Sequence, residues 1–388
     1  MPNTLPVADT ATKRLGYLDN LRSFVIFLVV ITHTVVTYSG FGGWYYKEVN
    51  SASLNVVSRI VFGLYGSFTQ AWFMGALFFL AAFFAARSLA KRGPAAFVRE
   101  RLFRLGVPLL IYIFVIEPFI GYFLVNYGNA RERLTFVQAY LWYLASFSWV
   151  GGTGPLWFVE ALLLFSLPYA AWRAIRPASK AVGTVPSAMT VVLTIVATGL
   201  AAFSIRLFQP IGTSVANLQL CYFASYVSLF LLGIHAGEKR WLESFPERRG
   251  ITWFTIVLAV GVPVWFVIMV GGGATRGVYL FNGGLNWQSF VYAFWESFVA
   301  IGFSLGLIAF FRKYLNVENG FTKLLASNSF GIYMFHAPVL ITISLLLIPW
   351  HGVPLLKAAL VAPFAFAATL ALSFLILRRI PGLRAVLK

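Results

Sequence analysis

Ionisable side chains stand inside long apolar stretches of this sequence, where lipid or other apolar side chains must surround them. They are Arg22, His33, Glu117, Glu160, Glu296 and His336, with Arg206 at the end of one stretch. Charged or titratable groups within membrane-spanning segments are costly, and they mark substrate paths, proton relays or catalytic centres. These residues are therefore the first candidates for chemistry.

Arg22 and His33 fall in the same apolar stretch, eleven residues apart. On an α-helix, that spacing brings them to within roughly 20° of the same face and about 16 Å apart along the axis. Arg22 is either an anchor at the membrane surface, paired with Asp19 one turn earlier, or part of a site. His33 is either a packing histidine or a general base, proton relay or ligand, and the sequence alone does not choose.

Glu160 lies about five residues after the start of its apolar stretch, and His33 lies about five residues before the end of its own. Both of these ends lie on the outer side, so we expect the two residues at similar depths in a bilayer. A carboxylate at that depth could orient the His33 imidazole and stabilise its charge, as in catalytic triads. The alternative is an ion pair between Glu160 and an arginine such as Arg206. Glu296 and His336 lie near the middle of their stretches, where either a structural contact or a place on a substrate path is expected.

Three arginines, Arg99, Arg101 and Arg104, precede another apolar stretch. Composition favours ordinary positively charged anchors at a cytoplasmic membrane surface. The functional alternative is a phosphate clamp, because a guanidinium group binds phosphate in bidentate fashion.

The composition of the chain indicates that membrane-spanning segments carry these residues. Hydrophobic residues make up 60% of the 388 positions and charged residues only 11%, against about a quarter charged in soluble domains. So few charges cannot cover a water-facing surface, which excludes soluble, disordered and secreted disulfide-rich proteins. The net charge of +18 lies in clusters between apolar stretches, which indicates cytoplasmic loops and not nucleic-acid binding. A single cysteine, Cys221, and four histidines without HExxH spacing predict no metal site.

Ten stretches are long enough to cross a bilayer. They lie at about 21–38, 67–88, 103–125, 155–173, 189–208, 218–238, 252–271, 288–311, 327–349 and 355–378. A further apolar stretch at 136–150 is too short, so we predict an interfacial or re-entrant helix there. The outer loops, 39–66 and 126–154, are long, and loops of that length are often functional.

With both termini in the cytoplasm, 23 of the 30 Lys and Arg residues lie on the cytoplasmic side, as the positive-inside rule requires. The sequence thus predicts an all-α, polytopic helix bundle of about ten transmembrane helices. We expect a single domain over 1–388, with a cytoplasmic segment at 1–20 and no appended soluble domain. The first span is expected to be an uncleaved anchor.

Four motifs in register resemble the acyltransferase-3 family of integral membrane acyltransferases. They are YLDNLRSFVIFLVVITH (17–33), FVRERLFRLGVP (97–108), GPLWFVEALLLFSL (154–167) and SNSFGIYMFHAPVL (327–340). The first contains an arginine, ten residues and a histidine, at Arg22 and His33, and the second contains Arg-x-x-Arg at Arg101 and Arg104. The resemblance covers roughly residues 15–380. Within the family, the chain looks most like the glucan biosynthesis protein C branch, whose members are thought to succinylate periplasmic glucans.

The resemblance implies an O-acyltransferase that uses cytoplasmic acyl-CoA and an extracytoplasmic carbohydrate. Arg22, Arg101 and Arg104 would hold the nucleotide phosphates. The pantetheine arm would cover the distance of about 16 Å between Arg22 and His33. His33 would act as general base or as transient acyl carrier. Glu160 would orient it.

The same resemblance implies that other residues contact the substrates. They are Trp157, Tyr333 and His336, with Asn328, Tyr333 and His336 as candidate oxyanion donors. No tightly bound cofactor is expected, since acyl-CoA is a substrate. The expected partners are acyl-CoA, the glycan, the bilayer of a bacterial inner membrane, and either glycan-assembly proteins or further copies of the chain. The family does not fix whether the acyl group is acetyl or succinyl.

Other functions remain open at this point. A transporter or flippase would line a pathway with the same buried charges, but such proteins often contain inverted repeats, and we find no halves that align. A membrane scaffold for glycan assembly has no need of a cation and an imidazole on one helix face. An acyltransferase acting on a small hydroxylated metabolite is a further alternative.

Overall fold

The computed structural model describes residues 15–125, 134–177 and 183–387, which form helices and, within these ranges, no β-strand. Ten of the described helices are long and apolar enough to cross a membrane. In chain order, with a shorter helix as α4, the elements are α1 Gly16–Ser39, α2 Val56–Arg92, α3 Pro94–Val125, α4 Phe136–Ala145, α5 Gly154–Ile175, α6 Ala188–Arg206, α7 Leu220–Lys239, α8 Glu247–Gly271, α9 Trp287–Tyr314, α10 Gly320–Leu346 and α11 Pro354–Arg379. A second short helix, Pro381–Val386, follows α11. The predicted all-α fold with ten spans is confirmed.

Consecutive spans run in opposite directions, so their connections alternate between two sides of the bundle. We call the side that carries residues 40–55 and α4 the loop side. The opposite side carries Arg22, Arg101 and Arg104, and we call it the arginine side.

Helix α2 begins earlier than the sequence indicated. It starts at Val56, although we predicted a loop through residue 66. The Asn55 side chain accepts a hydrogen bond from the backbone N–H of Ser58 at 2.8 Å, which is the contact of a strong N-cap. The predicted loop is therefore wrong over its second half, and only residues 40–55 connect α1 to α2.

Helix α4 is the short apolar element that follows α3. It has ten residues, none of them buried, and is shorter than the roughly 20 residues of a membrane span. Its Tyr140 and Tyr143 hydroxyls donate to the carbonyls of Phe114 and Ile113 in α3, at 3.1 and 3.0 Å. These carbonyls lie in a π-helical turn over Tyr112–Ile116. The prediction that this stretch does not span is confirmed.

Helices α2 and α7 pack closely because of small residues at their interface. A Cβ on Gly233 or Gly237 of α7 would meet Ala82 or Ala86 of α2 at 2.9 and 2.8 Å, and the one on Gly237 would lie 2.6 Å from the carbonyl of Phe83. This four-residue glycine spacing lets helix backbones approach closely in membranes. Helix α9 lies beside α2, α6 and α8, and α1 packs against α2, α9, α10 and α11. The core of the bundle thus forms around α1, α2 and α9.

Candidate active site

Two histidines from distant parts of the chain meet in the loop-side half of the bundle. His33 of α1 and His336 of α10 are joined by a hydrogen bond of 2.9 Å between Nδ1 and Nε2. The two rings are nearly parallel, with centroids 5.0 Å apart. His336 is fully buried, whereas His33 is half-buried.

The tautomers of this pair follow from one further contact. His336 Nδ1 lies 2.8 Å from the carbonyl oxygen of Tyr333, and a carbonyl only accepts, so Nδ1 carries the hydrogen. A neutral imidazole has one N–H, so His336 Nε2 is the acceptor and His33 Nδ1 the donor. In the neutral pair the lone pair of His33 therefore resides on Nε2.

An indole ring covers the exposed face of His33. Trp44, from the loop at residues 40–55, stacks on His33 with ring centroids 3.9 Å apart and planes 12° from parallel. Its Nε1 is buried and has no hydrogen-bond partner among the described residues. Nothing in the sequence assigned Trp44 to the site, because it lies in a loop whose course no periodicity predicts.

That loop is attached to the bundle through a buried lysine. Lys357 Nζ of α11 donates to Glu48 Oε1 at 2.5 Å and to the carbonyls of Leu347 and Trp350 at 3.0 and 2.8 Å. All three hydrogens of the ammonium group thus have acceptors. The Glu48 N–H also donates to the Thr37 carbonyl of α1 at 2.9 Å. These contacts hold Trp44 over His33.

The predicted contact between Glu160 and His33 is not formed within the described residues, where His336 takes that place. Glu160 lies in the first α-helical turn of α5, which begins at Trp157 after a 3-10 turn at Gly154–Leu156, and the helix dipole there favours a carboxylate. There the hydroxyl of Thr153 interacts with it, while its Oε2 is buried without a hydrogen-bond partner. The alternative pairing with Arg206 is also absent, because Arg206 binds Glu296 at 2.6 Å in the core.

Of the two residues expected to contact substrate, Tyr333 adjoins the histidine pair, and Trp157 lies at the start of α5, to which Tyr333 is bonded. The Tyr333 hydroxyl donates to the carbonyl of Pro155, which joins α10 to the start of α5. Trp157 stacks on Tyr226 of α7, with centroids 5.6 Å apart. The ring of Tyr333 lies 6.2 Å from that of His336.

A second polar cluster lies next to Trp44 on the loop side. The hydroxyl of Tyr45 donates to the carboxylate of Glu117 in α3, and it lies 3.1 Å from the hydroxyl of Tyr112. Burial raises the pKa of Tyr45 well above its ordinary value, and Tyr112 and Glu117 raise it further. Tyr45 is therefore a hydrogen-bond donor at neutral pH. The sequence marked Glu117 as an intramembrane charge but gave no signal for its tyrosine partners.

The predicted phosphate-binding arginines lie on the arginine side. Arg22 contacts Asp19 at 3.0 Å and donates to the carbonyl of Ala326 at 3.2 Å. Its anchoring contact with Asp19 is thus present. The other two sit at the start of α3, where Arg104 pairs with Glu100 at 3.2 Å and Arg101 lies over the ring of Phe97 at 4.9 Å. Arg104 is exposed and Arg101 partly so, so both guanidinium groups can reach a ligand.

A protein metal centre usually needs at least three His, Cys, Asp or Glu ligands. Within the described ranges no three such side chains lie close enough together to hold a metal ion. The polar groups of the site are instead imidazoles, carboxylates, tyrosine hydroxyls and an indole N–H. This set suits proton transfer and hydrogen bonding to hydroxyl groups.

Comparison with known proteins identifies the kind of domain. A family model described as an acyltransferase domain matches residues 15–378, nearly the whole chain. The chain matches no curated protein and no solved structure.

Proposed function

This chain belongs to the acyltransferase-3 family of membrane proteins, and we propose on that premise that it is an acyl-CoA-dependent O-acyltransferase. Its acceptor is a hydroxyl group of an extracytoplasmic carbohydrate such as a periplasmic glucan, as in the glucan biosynthesis protein C branch, and its acyl group is succinyl or acetyl. The family assignment supports acyl transfer. The arrangement of the site supports the direction and the chemistry.

The observation that carries the proposal is the tautomer of His33. With Nδ1–H donated to His336, the free lone pair of His33 is on Nε2, as a general base requires. His33 Nε2 takes the proton of the acceptor hydroxyl while its oxygen attacks the thioester carbonyl. The carbon–sulfur bond breaks, and the imidazolium returns the proton to the leaving thiolate. An ester and free CoA result, and the enzyme is unchanged.

We assign His336 the role of holding His33 in this tautomer. Its own orientation is fixed by the bond from Nδ1 to the Tyr333 carbonyl. Tyr333 and Trp157 remain proposed substrate contacts, since Tyr333 adjoins His336 and is bonded to the start of α5, which carries Trp157.

The donor enters from the arginine side. Arg22, Arg101 and Arg104 bind the nucleotide phosphates there, because guanidinium groups match phosphate oxygens. His33 lies about 16 Å farther along α1 than Arg22, a distance that the extended pantetheine arm covers. We therefore propose that the donor extends from these arginines to His33, with its thioester next to His33 Nε2.

The orientation in the membrane follows from the charges. Most of the Lys and Arg residues fall on the arginine side, so we propose that this side and both termini face the cytoplasm. The loop side, with Trp44 and Glu117, then faces outward. A bacterial inner membrane is the location that fits cytoplasmic acyl-CoA and a periplasmic acceptor.

The test uses purified protein in lipid nanodiscs, supplied with succinyl-CoA or acetyl-CoA and a neutral glucose oligomer. Release of free CoA and the mass of the oligomer are measured together. We expect His33→Ala to lower transfer by about 100- to 10,000-fold, the usual contribution of a general base. His336→Leu leaves a buried donor unpaired and is expected to lower kcat about 5- to 150-fold.

His351→Ala is the matched control, since His351 is exposed, lies in the loop that follows α10 and is not part of the pair. It should transfer at the wild-type rate. Equal rates for wild type and His33→Ala, with both proteins folded, would exclude His33 as the base.

A further inference from the structure

Two carboxylates on the loop side lack the cation that other buried acids of this protein have. Glu296 pairs with Arg206 at 2.6 Å, and Glu238 pairs with Arg173 at 2.5 Å. Neither Glu117 nor Glu160 has a Lys, Arg or His of the described chain within ion-pair distance. An unpaired carboxylate is costly at this depth, so these two acids have a role other than stabilising the fold.

Both carboxylates border the same short segment, residues 152–154. A Cβ at Gly152 would lie 3.3 Å from Glu117 Cγ, and the hydroxyl of Thr153 interacts with Glu160. Asn217 holds the segment in place, since its Nδ2 donates to Thr153 Oγ1 at 2.8 Å and to the carbonyl of Gly154 at 2.9 Å. The two acids therefore lie next to the same short segment of backbone, which Asn217 holds in place.

The groups that already contact these carboxylates are neutral hydroxyls. Tyr45 donates to Glu117 and is itself next to the hydroxyl of Tyr112. Gly154 has a φ of +46°, and a Cβ there would clash with the hydroxyls of both tyrosines. Only glycine at this position lets the two hydroxyls converge. Next to Thr153, Glu160 Oε2 is buried and has no partner among the described residues, so one acceptor position of this carboxyl group is unfilled.

We infer that Glu117 and Glu160, with the segment 152–154 between them, bind the hydroxyl groups of a neutral polyol. This subsite rests on the proposed function, because the polyol is the carbohydrate whose hydroxyl is acylated. A carboxyl group accepts hydrogen bonds from sugar hydroxyls whether or not it carries a proton. An anionic sugar would find no counter-charge beside either acid, so the subsite favours a neutral one.

The position of the subsite relative to His33 supports this assignment. The ring of Trp44 lies 5.1 Å from that of Tyr45 and 3.9 Å from that of His33. Trp44 thus packs against both the base, His33, and Tyr45, the residue that donates a hydrogen bond to Glu117. The subsite therefore lies in the same loop-side half of the bundle as the base.

The subsite is tested by equilibrium binding without an acyl donor. A glucose hexamer and the corresponding glucuronate hexamer are titrated into nanodisc-embedded wild-type protein, Glu117→Gln, Glu160→Gln and the control Glu247→Gln, whose acid is an exposed partner of Lys313. We expect wild type and control to bind the glucose hexamer, and the glucuronate hexamer at least tenfold more weakly. Each subsite variant should bind the glucose hexamer about tenfold more weakly, the loss expected for one hydrogen bond.

The glucuronate discrimination is measured on wild type, so the test does not depend on the variants folding. Equal affinity of wild type for both hexamers would overturn the subsite, as would unchanged affinity in two folded Gln variants or no binding at all. Adding acyl-CoA separates the subsite from the function. Hexamer binding that needs both carboxylates but leads to no acyl transfer would refute the proposed function and leave the subsite standing.

Discussion

The stacking of Trp44 on His33 predicts how the protein stabilises a positive charge. When His33 Nε2 takes a proton, the ring becomes an imidazolium whose hydrogen-bond partner, His336, is neutral in our account. No carboxylate of the described residues lies within ion-pair distance of it. The indole face at 3.9 Å is well inside the roughly 6 Å over which a cation and an aromatic ring attract.

That attraction amounts to about 0.5 kcal/mol at exposed sites and about 2 kcal/mol where water is excluded. Because each 1.36 kcal/mol of barrier changes a rate about tenfold, removing it lowers kcat about 2- to 30-fold. Trp44→Leu also removes packing over His33, so it does not isolate the electrostatic part. Fluorinated tryptophans placed at position 44 do, because fluorine withdraws electron density from the ring face at nearly constant shape.

We expect kcat for acyl transfer to fall stepwise as fluorine atoms are added at position 44, with the logarithm of the rate following the cation–π strength. The same series at Trp142, an exposed residue of α4, is the control and should leave kcat unchanged. CoA release and product mass report the rate. A flat series at Trp44, with Trp44→Leu equally active, would refute the electrostatic role.

Three further predictions concern the framework of the site. Lys357→Met removes the ion pair with Glu48, so the amides of residues 40–55 should exchange with deuterium faster, and unchanged exchange would contradict the attachment of this loop. Glu296→Gln leaves the charge of Arg206 buried, so we expect the free energy of unfolding to fall by about 3–5 kcal/mol, whereas an apolar replacement of both residues should recover most of it. Burial raises the pKa of Glu243, but its two arginine partners lower it overall, below the ordinary value of 4.5. The stabilisation is present above the ordinary pKa and is lost as pH falls through the lowered one. The Tm difference between wild type and Glu243→Gln should therefore be constant near pH 7 and shrink as the pH falls below 4.5.

The number and type of the helices followed from the sequence because bilayer thickness determines their length. The start of α2 did not, because its first turns lie outside the most apolar stretch and depend on the Asn55 cap. Residues 136–150 were correctly excluded from the spans, since Phe136–Ala145 is too short to cross a bilayer.

The ionisable residues of the site were visible in the sequence, but their pairing was not. Depth along each span placed His33 and Glu160 together, and depth alone says nothing about which helices are neighbours. The packing of α1 against α10 brings His336 to His33 instead. Trp44 and Tyr45 had no signal at all, because a loop anchored by one buried lysine leaves no periodic pattern.

The most direct test of the central claim is the mass spectrum of envelope glycans from cells that express wild type, His33→Ala or His351→Ala at matched membrane levels. We predict an acyl mass increment with wild type and with His351→Ala, of a size that identifies the donor, and none with His33→Ala. An equal increment with His33→Ala, or no increment with wild type, would contradict acyl transfer by His33 to an extracytoplasmic glycan.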